Sequence, residues 1–111
     1  IIVIGKNKND MLLAFKQLKQ QKGGMVLVEN EEVVSNITLE LYGVMSTKPM
    51  EDIMTEEKQL VTALKERGYH FEDPIYSLLF FASTHLPYIR ITQRGIFDVK
   101  QKTVLFPSIM R

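Results

Sequence analysis

The stretch that decides the fold is GGMVLVENEEVVSNITLELYGVMS, residues 23–46. Its two glycines precede an unbroken apolar run at residues 25–28, which predicts a strand covered on both faces. The polar pair Asn30-Glu31 predicts a hairpin turn, although such turns prefer glycine where Glu31 stands. Side chains then alternate between an apolar and a more polar face over residues 33–41, as in a half-buried strand. The stretch therefore predicts a β-hairpin.

One amphipathic helix is predicted before the hairpin. Residues 1–4 form a short apolar run that predicts a strand, and apolar residues then recur at helical spacing from Met11 to Leu18. Asn7 or Asn9 is suited to cap the start of this helix, and Gly23 to follow its end. A strand, a helix and a second strand of these lengths predict a parallel pair with a right-handed crossover.

A second, longer helix is predicted after the hairpin, over residues 50–64. Its apolar stripe is flanked by acidic residues in the first half and basic residues at the end, which the helix dipole favours. Ser46 or Thr47 is predicted to cap it, and Pro49 is tolerated in its first turn. Gly68 is predicted to end the helix.

The last third of the chain is predicted to be rich in β-structure. Residues 77–83 are mostly Leu and Phe and predict a buried strand, although a helical turn also fits so short a run. Residues 88–92, 96–99 and 103–106 predict three further short strands. The predicted fold class is α/β (or α+β), in a single domain over residues 1–111. It has one mixed β-sheet of five to seven strands and at least two packed helices.

The composition narrows the class of protein. The 111 residues are 45% hydrophobic and 24% charged, as in an ordinary globular domain. A net charge of +1 gives no electrostatic reason to expect nucleic acid or a membrane surface as a partner. Because the chain has no cysteine, disulfides and thiolate metal sites are excluded, which is compatible with a cytoplasmic location.

The sequence contains no pattern typical of a catalytic or metal site. The two histidines, His70 and His85, are fifteen residues apart and are interpreted as loop residues, although His85 beside Leu86-Pro87 is the more interesting. No serine lies in a Gly-x-Ser-x-Gly elbow, and the loop from Gly5 to Asn9 matches neither common phosphate-binding pattern. The acidic residues of the second helix are predicted to be a solvated face: Glu51, Asp52, Glu56 and Glu57. These observations predict no catalytic, cofactor-binding or metal-binding residue.

Three segments, in order along the chain, resemble the C-terminal domain of adenine deaminases, which belong to the amidohydrolase superfamily. The first is Ile1-Ile2-Val3-Ile4-Gly5 with Asn9-Asp10-Met11. The second is the glycine pair and hairpin that lead to Gly43-Val44-Met45-Ser46. The third is Asp73-Pro74-Ile75 followed by residues 78–82, Leu86-Pro87 and the stretch ITQRGIFDV at 91–99. The resemblance covers nearly the whole chain.

The resemblance implies that this chain is an accessory domain of a longer enzyme that converts adenine and water to hypoxanthine and ammonia in purine salvage. The catalytic (β/α)8 barrel, with its divalent metal (Mn, Fe or Zn), would lie upstream in the same polypeptide, and the whole enzyme would be a homo-oligomer. A chain that begins at Ile1 fits this expectation. The fragment alone is then expected to hold no metal and to have no deaminase activity.

The resemblance is not exact. Many members of the family have glycine in the hairpin where this chain has Glu31, and an acidic residue where it has Gln93. The segment Leu39-Glu40-Leu41-Tyr42 stands where they have a proline-rich entry to the corner. These changes indicate a divergent branch, and they leave adenine, a related purine or another cyclic amidine open as the substrate. A free-standing small-molecule or protein-binding α/β module remains the alternative function.

Two surfaces are predicted to contact the rest of such an enzyme. The candidate interdomain contact is Gly43, Met45 and Ser46, because Met45 is not needed for the turn itself. The alternative places Met45 in the core beneath the second helix. The last third also carries a surplus of large apolar side chains, which predicts an apolar patch. They are Leu78, Leu79, Phe80, Phe81, Leu86, Tyr88 and Ile89.

Overall fold

A computed structural model describes residues 1–109, apart from the side chain of Ala82. The described chain divides into two compact units. The first comprises Ile1 and Val3–His70, and the second comprises Ile2 and the residues from Phe71 onward. No helix in the described residues is both long and apolar enough to cross a membrane.

The first unit is an antiparallel hairpin with two helices. Its elements are α1 (Lys8–Gln21), β1 (Gly24–Glu29), β2 (Glu32–Thr38) and α2 (Met50–Glu66). The strands pair from Gly24 opposite Thr38 to Glu29 opposite Glu32, with one irregularity beside Leu27. Helix α1 packs mainly on β1 and α2 on β2. The buried apolar side chains of the first unit's described residues, Ile37 and Leu60, come from β2 and α2.

The start of α1 also fixes the hairpin turn. Asn7 caps the helix, since its side-chain oxygen accepts hydrogen bonds from the backbone N–H groups of Asn9 and Asp10. Asn30 and Glu31 both have positive φ, 54° and 62°, as a type I′ hairpin turn requires. The Glu31 N–H donates to the Asp10 carboxylate at 2.7 Å, and the Asn9 amide donates to the Glu31 carboxylate at 3.0 Å. These bonds hold a glutamate in a position that glycine usually occupies.

The two glycines after α1 allow close backbone contacts. A Cβ atom on Gly24, whose φ is 112°, would lie 1.9 Å from the carbonyl oxygen of Ile37 in β2. A Cβ atom on Gly23 would lie 2.5 Å from the Cα of Gly43 and 2.9 Å from the carbonyl oxygen of Leu39. Only glycine fits this spacing, so the pair is required for more than ending the helix.

The residue that caps the start of α2 differs from the prediction, whereas the helix ends before Gly68 as predicted. Pro49 occupies the N-cap position, and no side chain caps the helix, so the prediction of a Ser46 or Thr47 cap was wrong. Both hydroxyls instead donate to Glu40. At the other end, the Gly68 N–H donates to the Lys65 carbonyl and the Tyr69 N–H donates to the Leu64 carbonyl. This pair of hydrogen bonds is a Schellman motif.

The second unit is a short helix with a three-stranded antiparallel sheet. Its elements are α3 (Pro74–Ala82), β3 (Ile89–Thr92), β4 (Gly95–Asp98) and β5 (Thr103–Pro107), with strand order β3-β4-β5. Helix α3 contacts β3. Pro74 is fully buried at the start of α3. All three strands were predicted from the sequence.

The α/β class, the five strands and the packed helices are confirmed, but three details of the prediction were wrong. The run at residues 77–83 is not a strand but helical through Ala82, the alternative that its length allowed, because Asp73 caps the turn and Pro74 favours the first helical position. Residues 1–4 form no strand, so no parallel pair arises in the described chain. The strands therefore lie in two antiparallel sheets, of two and three strands, rather than in one mixed sheet.

Gly24→Ala is expected to lower the free energy of unfolding of the first unit by about 2–5 kcal/mol, because it adds a clash with Ile37 to an unfavourable φ. Gly68→Ala is the matched control. Gly68 has φ 90° and no atom within 4 Å of the added Cβ, so only the conformational cost, about 1–2 kcal/mol, is expected. Urea denaturation of both variants measures the difference, and equal losses would contradict the steric explanation.

Candidate functional site

We call residues 39–49, between β2 and α2, the corner loop; it contains the predicted contact residues Gly43, Met45 and Ser46. A tight turn closes it. The Leu41 N–H donates to the Met45 carbonyl at 2.9 Å, and the Met45 N–H donates back to the Leu41 carbonyl at 3.1 Å. The Val44 N–H also donates to Leu41 at 3.1 Å. The turn is therefore fixed by its own backbone.

Glu40 joins the two ends of this turn. Its carboxylate accepts hydrogen bonds from the Thr47 N–H at 2.9 Å, from the Thr47 hydroxyl and from the Ser46 hydroxyl at 3.4 Å. The predicted contact residue Ser46 thus has a structural bond within the loop. Its hydroxyl also accepts from the Lys48 N–H at 3.2 Å.

These bonds stabilise the ionised form of Glu40. The Thr47 hydroxyl is the largest cause, and together with the backbone donors it lowers the pKa of Glu40 from 4.5 to about 2. A lowered pKa means that the carboxylate stabilises the folded loop above pH 4.5. That contribution is lost as the pH falls from 4.5 toward 2.

The tip of the corner loop is apolar and exposed. The exposed fractions are 41% for Leu41, 93% for Tyr42, 66% for Val44 and 53% for Met45. Met45 is therefore not a fully buried core residue beneath α2, which was the alternative to an interdomain contact. Its contact with another part of the enzyme remains a prediction.

Gly43 links the tip of the corner loop to the end of α1 through a backbone contact. Its φ is 76°, a value that glycine adopts without strain, and its backbone packs against Gly23 at the end of α1. The Leu39 N–H also donates to the Gly23 carbonyl at 3.3 Å. The base of the corner loop is thus held by α1 and the glycines that follow it, while the side chains of its tip are exposed.

The second exposed apolar surface lies in the second unit, and we call it the α3 surface. Six of the seven side chains predicted to form a patch are exposed, with fractions from 38% to 63%, and Leu86 is half-buried. The prediction of exposed apolar residues is confirmed. The exposed members are Leu78, Leu79, Phe80, Phe81, Tyr88 and Ile89.

Helix α3 is apolar on every side, which is unusual for a helix at a surface. Leu78, Leu79, Phe80 and Phe81 are consecutive, so they point in four different directions around the helix axis. Tyr76 adds an edge-to-face contact with Phe80, with ring centroids 5.1 Å apart. A helix that is hydrophobic all round is normally buried in a larger core.

The described residues assemble no metal or catalytic centre. His70 belongs to the first unit and His85 to the second, and both are exposed loop residues, as predicted. Residues 1–109 contain no cluster of three or more His, Cys, Asp or Glu side chains able to hold a metal ion. A divalent metal therefore does not fit the described residues of this chain.

The other candidate sites are the start of α1 and the acidic residues of α2. The Asn7 side chain already accepts the N–H groups that a phosphate at the start of α1 would use. Of the acidic residues on α2, Glu51, Asp52 and Glu57 are exposed, and Glu56 pairs with Lys48. A depression along the outer face of α2 is wide open to solvent rather than an enclosed pocket. None of these arrangements resembles an active site.

Two residues of the corner loop were not singled out as site residues from the sequence. They are Tyr42, the most exposed large side chain of the tip, and Glu40, which braces it. The available signal was the sequence Glu40-Leu41-Tyr42-Gly43, in which a large aromatic residue stands directly before a turn glycine.

Comparison with known proteins identifies the family. The model of the adenine deaminase C-terminal domain matches residues 1–103. The chain belongs to this family. "Putative adenine deaminase BH0637" of Halalkalibacterium halodurans is 70% identical over the whole chain, and "Putative adenine deaminase YerA" of Bacillus subtilis is 60% identical. "Adenine deaminase 2" of Oenococcus oeni is 33% identical over 93% of the chain.

This adenine deaminase C-terminal domain is a small part of each relative. It spans 19% of the H. halodurans and B. subtilis proteins and 18% of the O. oeni protein. About four-fifths of each relative therefore has no counterpart in this chain. The two exposed apolar surfaces are found in a domain that its relatives carry as one part of a longer polypeptide.

Thr47→Val is expected to raise the pKa of Glu40 from about 2 toward 4.5, because it removes the hydroxyl that contributes most to the shift. An NMR titration of the Glu40 carboxyl carbon measures the change. Thr62→Val, at an exposed position of α2, is the control and should leave that titration unchanged. An unchanged pKa in Thr47→Val would show that the hydroxyl does not hold the carboxylate.

Proposed function

We propose that this chain is the non-catalytic C-terminal domain of an adenine deaminase, a hydrolase that converts adenine and water to hypoxanthine and ammonia. The observation that carries the proposal is the family match over residues 1–103 of a chain that spans only 19% of its relatives. The same match favours this function over a free-standing binding module.

The chemistry is assigned to the part of the enzyme outside this chain. The described residues bring together no set of metal ligands, so no step of the reaction is assigned to them. The divalent metal (Mn, Fe or Zn) that the resemblance implies would be held by the upstream barrel. The enzyme would act in purine salvage in the cytoplasm, as a homo-oligomer.

The role of this domain is proposed to be structural. The α3 surface supports that role, because leaving Leu79 and its neighbours in water forfeits the free energy of burying them, about 25 cal/mol per Å². Contact with the rest of the same polypeptide would recover that free energy without the entropy cost of bringing two separate molecules together. The domain would thereby stabilise the catalytic part.

A chimera tests the catalytic proposal. This chain replaces the matching residues of the H. halodurans relative, and ammonia release from adenine is measured with added Mn, Fe or Zn. The chimera is expected to deaminate adenine, whereas this chain alone is expected to release no ammonia above background. Activity of the chain alone, or an inactive chimera beside an active parent, would contradict the proposal. Inactivity of the parent toward adenine would exclude adenine as the substrate.

Leu79→Glu tests the role of the α3 surface. In this chain the side chain is exposed, so the free energy of unfolding should change by about 0.5 kcal/mol or less. In the chimera, a covered surface would bury an unpaired charge, at a cost of about 3–5 kcal/mol. Urea denaturation of both proteins measures the difference.

Gln93→Glu introduces the same charge at an exposed polar position of the second unit and serves as the control. Gln93→Glu should change the free energy of unfolding little in this chain and in the chimera. If Leu79→Glu were equally harmless in the chimera, the α3 surface would not be covered there.

A further inference from the structure

We propose that the tip of the corner loop, Tyr42 with Val44 and Met45, is a preformed anchor that inserts into an apolar pocket in the catalytic part of the same polypeptide. This inference rests on the proposed function and adds the contact residues and their mode of docking. It concerns the first unit alone and is independent of the α3 surface.

The shape and chemistry of the tip carry the inference. Three large apolar side chains project from a five-residue turn, and Tyr42 is 93% exposed. Aromatic side chains that fill a pocket on a partner contribute a large share of the binding energy at interfaces. Tyrosine is suited to this position because its ring can be buried while its hydroxyl finds a polar partner.

The tip is also rigid before it binds. The Leu41–Met45 backbone bonds close the turn, the Glu40 carboxylate joins its two flanks, and Gly43 rests on Gly23. A loop that is already ordered loses little conformational entropy when it docks. Such bracing is more than a connection between β2 and α2 needs, since connecting loops are commonly mobile.

The backbone of Tyr42 is strained. Its φ is 56°, in the left-handed region that bulky residues rarely adopt, and glycine would relieve that strain. Strained residues of this kind occur most often where the conformation serves binding or catalysis. Since the described residues leave 93% of Tyr42 exposed, packing against them does not explain why a tyrosine stands there.

The receptor is assigned to the rest of the polypeptide rather than to a second copy of this chain. A projecting apolar tip needs a concave apolar receptor. The depression along α2, lined by Thr55, Lys58, Gln59, Thr62, Ala63 and Glu66, is instead wide open to solvent, so it is not a pocket that could enclose such a tip. About four-fifths of the H. halodurans relative lies outside the region matched by this chain and is large enough to supply the pocket.

Thiol labelling of the chimera with the H. halodurans relative tests the inference. This chain has no cysteine, so Tyr42→Cys, Val44→Cys and Met45→Cys each place a single thiol within it, and peptide mapping separates that thiol from those elsewhere. Lys58→Cys, at an exposed polar position of α2, is the matched control. Labelling rates are measured for native and urea-unfolded protein.

Cysteines at the tip are expected to label at least about tenfold more slowly in the native chimera than in the unfolded one, because a covered site reacts only when it opens. The control should label at nearly the same rate in both. Because Tyr42→Cys removes the anchor itself, positions 44 and 45 are decisive. If both label as fast as the control, the inference is wrong.

Oxidation of Met45 in the unsubstituted chimera is a second test of the same inference, and it requires no cysteine variant. Met45 should form sulfoxide with hydrogen peroxide much more slowly in the native chimera than in the unfolded one. Equal rates would overturn the inference. Ammonia release from adenine is measured on the same samples. An active chimera with an unprotected tip would refute the docking contact alone, whereas a protected tip in an inactive chimera would refute the proposed function alone.

Discussion

The close approach of two glycines to backbone far along the chain determines the arrangement of the first unit. Gly24 lies against the Ile37 carbonyl in β2, and Gly23 lies against Gly43 in the corner loop. These contacts leave no room for a Cβ atom at either position, so helix α1, the hairpin and the corner loop can meet only where glycine stands. The position of the exposed tip at Tyr42 follows from this contact.

The same contacts explain why a loop can act as a rigid element. Most loops are mobile because their backbone polar groups are paired with water. In the corner loop, the backbone groups of Leu41, Val44 and Met45 pair with one another, and the Glu40 carboxylate satisfies the Thr47 N–H and two hydroxyls. Because the same hydrogen bonds lower the pKa of Glu40 to about 2, the carboxylate stays ionised and the brace persists well below pH 4.5.

The described core is small compared with the exposed apolar surface. Ile37 and Leu60 are buried to within a few per cent, while the side chains of helix α3 and of the corner-loop tip remain largely in water. An isolated two-stranded sheet is marginal by itself and needs further packing. Both observations have one explanation if the rest of a longer enzyme supplies packing that this domain cannot supply for itself.

Local sequence by itself determined much of this protein. It indicated a hairpin with strands at 25–28 and 33–41, the two amphipathic helices, the three strands of the second unit, the exposed apolar surplus near Leu79 and the family, because spacing, caps and turn residues are local properties. The second hairpin strand is shorter than predicted and ends at Thr38. Local sequence did not determine whether residues 1–4 form a strand, since a short apolar run becomes a strand only when a partner supplies hydrogen bonds. The helix that includes residues 77–82 follows from a local signal, the Asp73 cap with Pro74, that the apolar run obscured. Only the tertiary structure left residues 1–4 without a strand partner, placed Gly43 against Gly23 and left Tyr42 in water. Contacts between residues distant in sequence decide such features, and no local pattern records them.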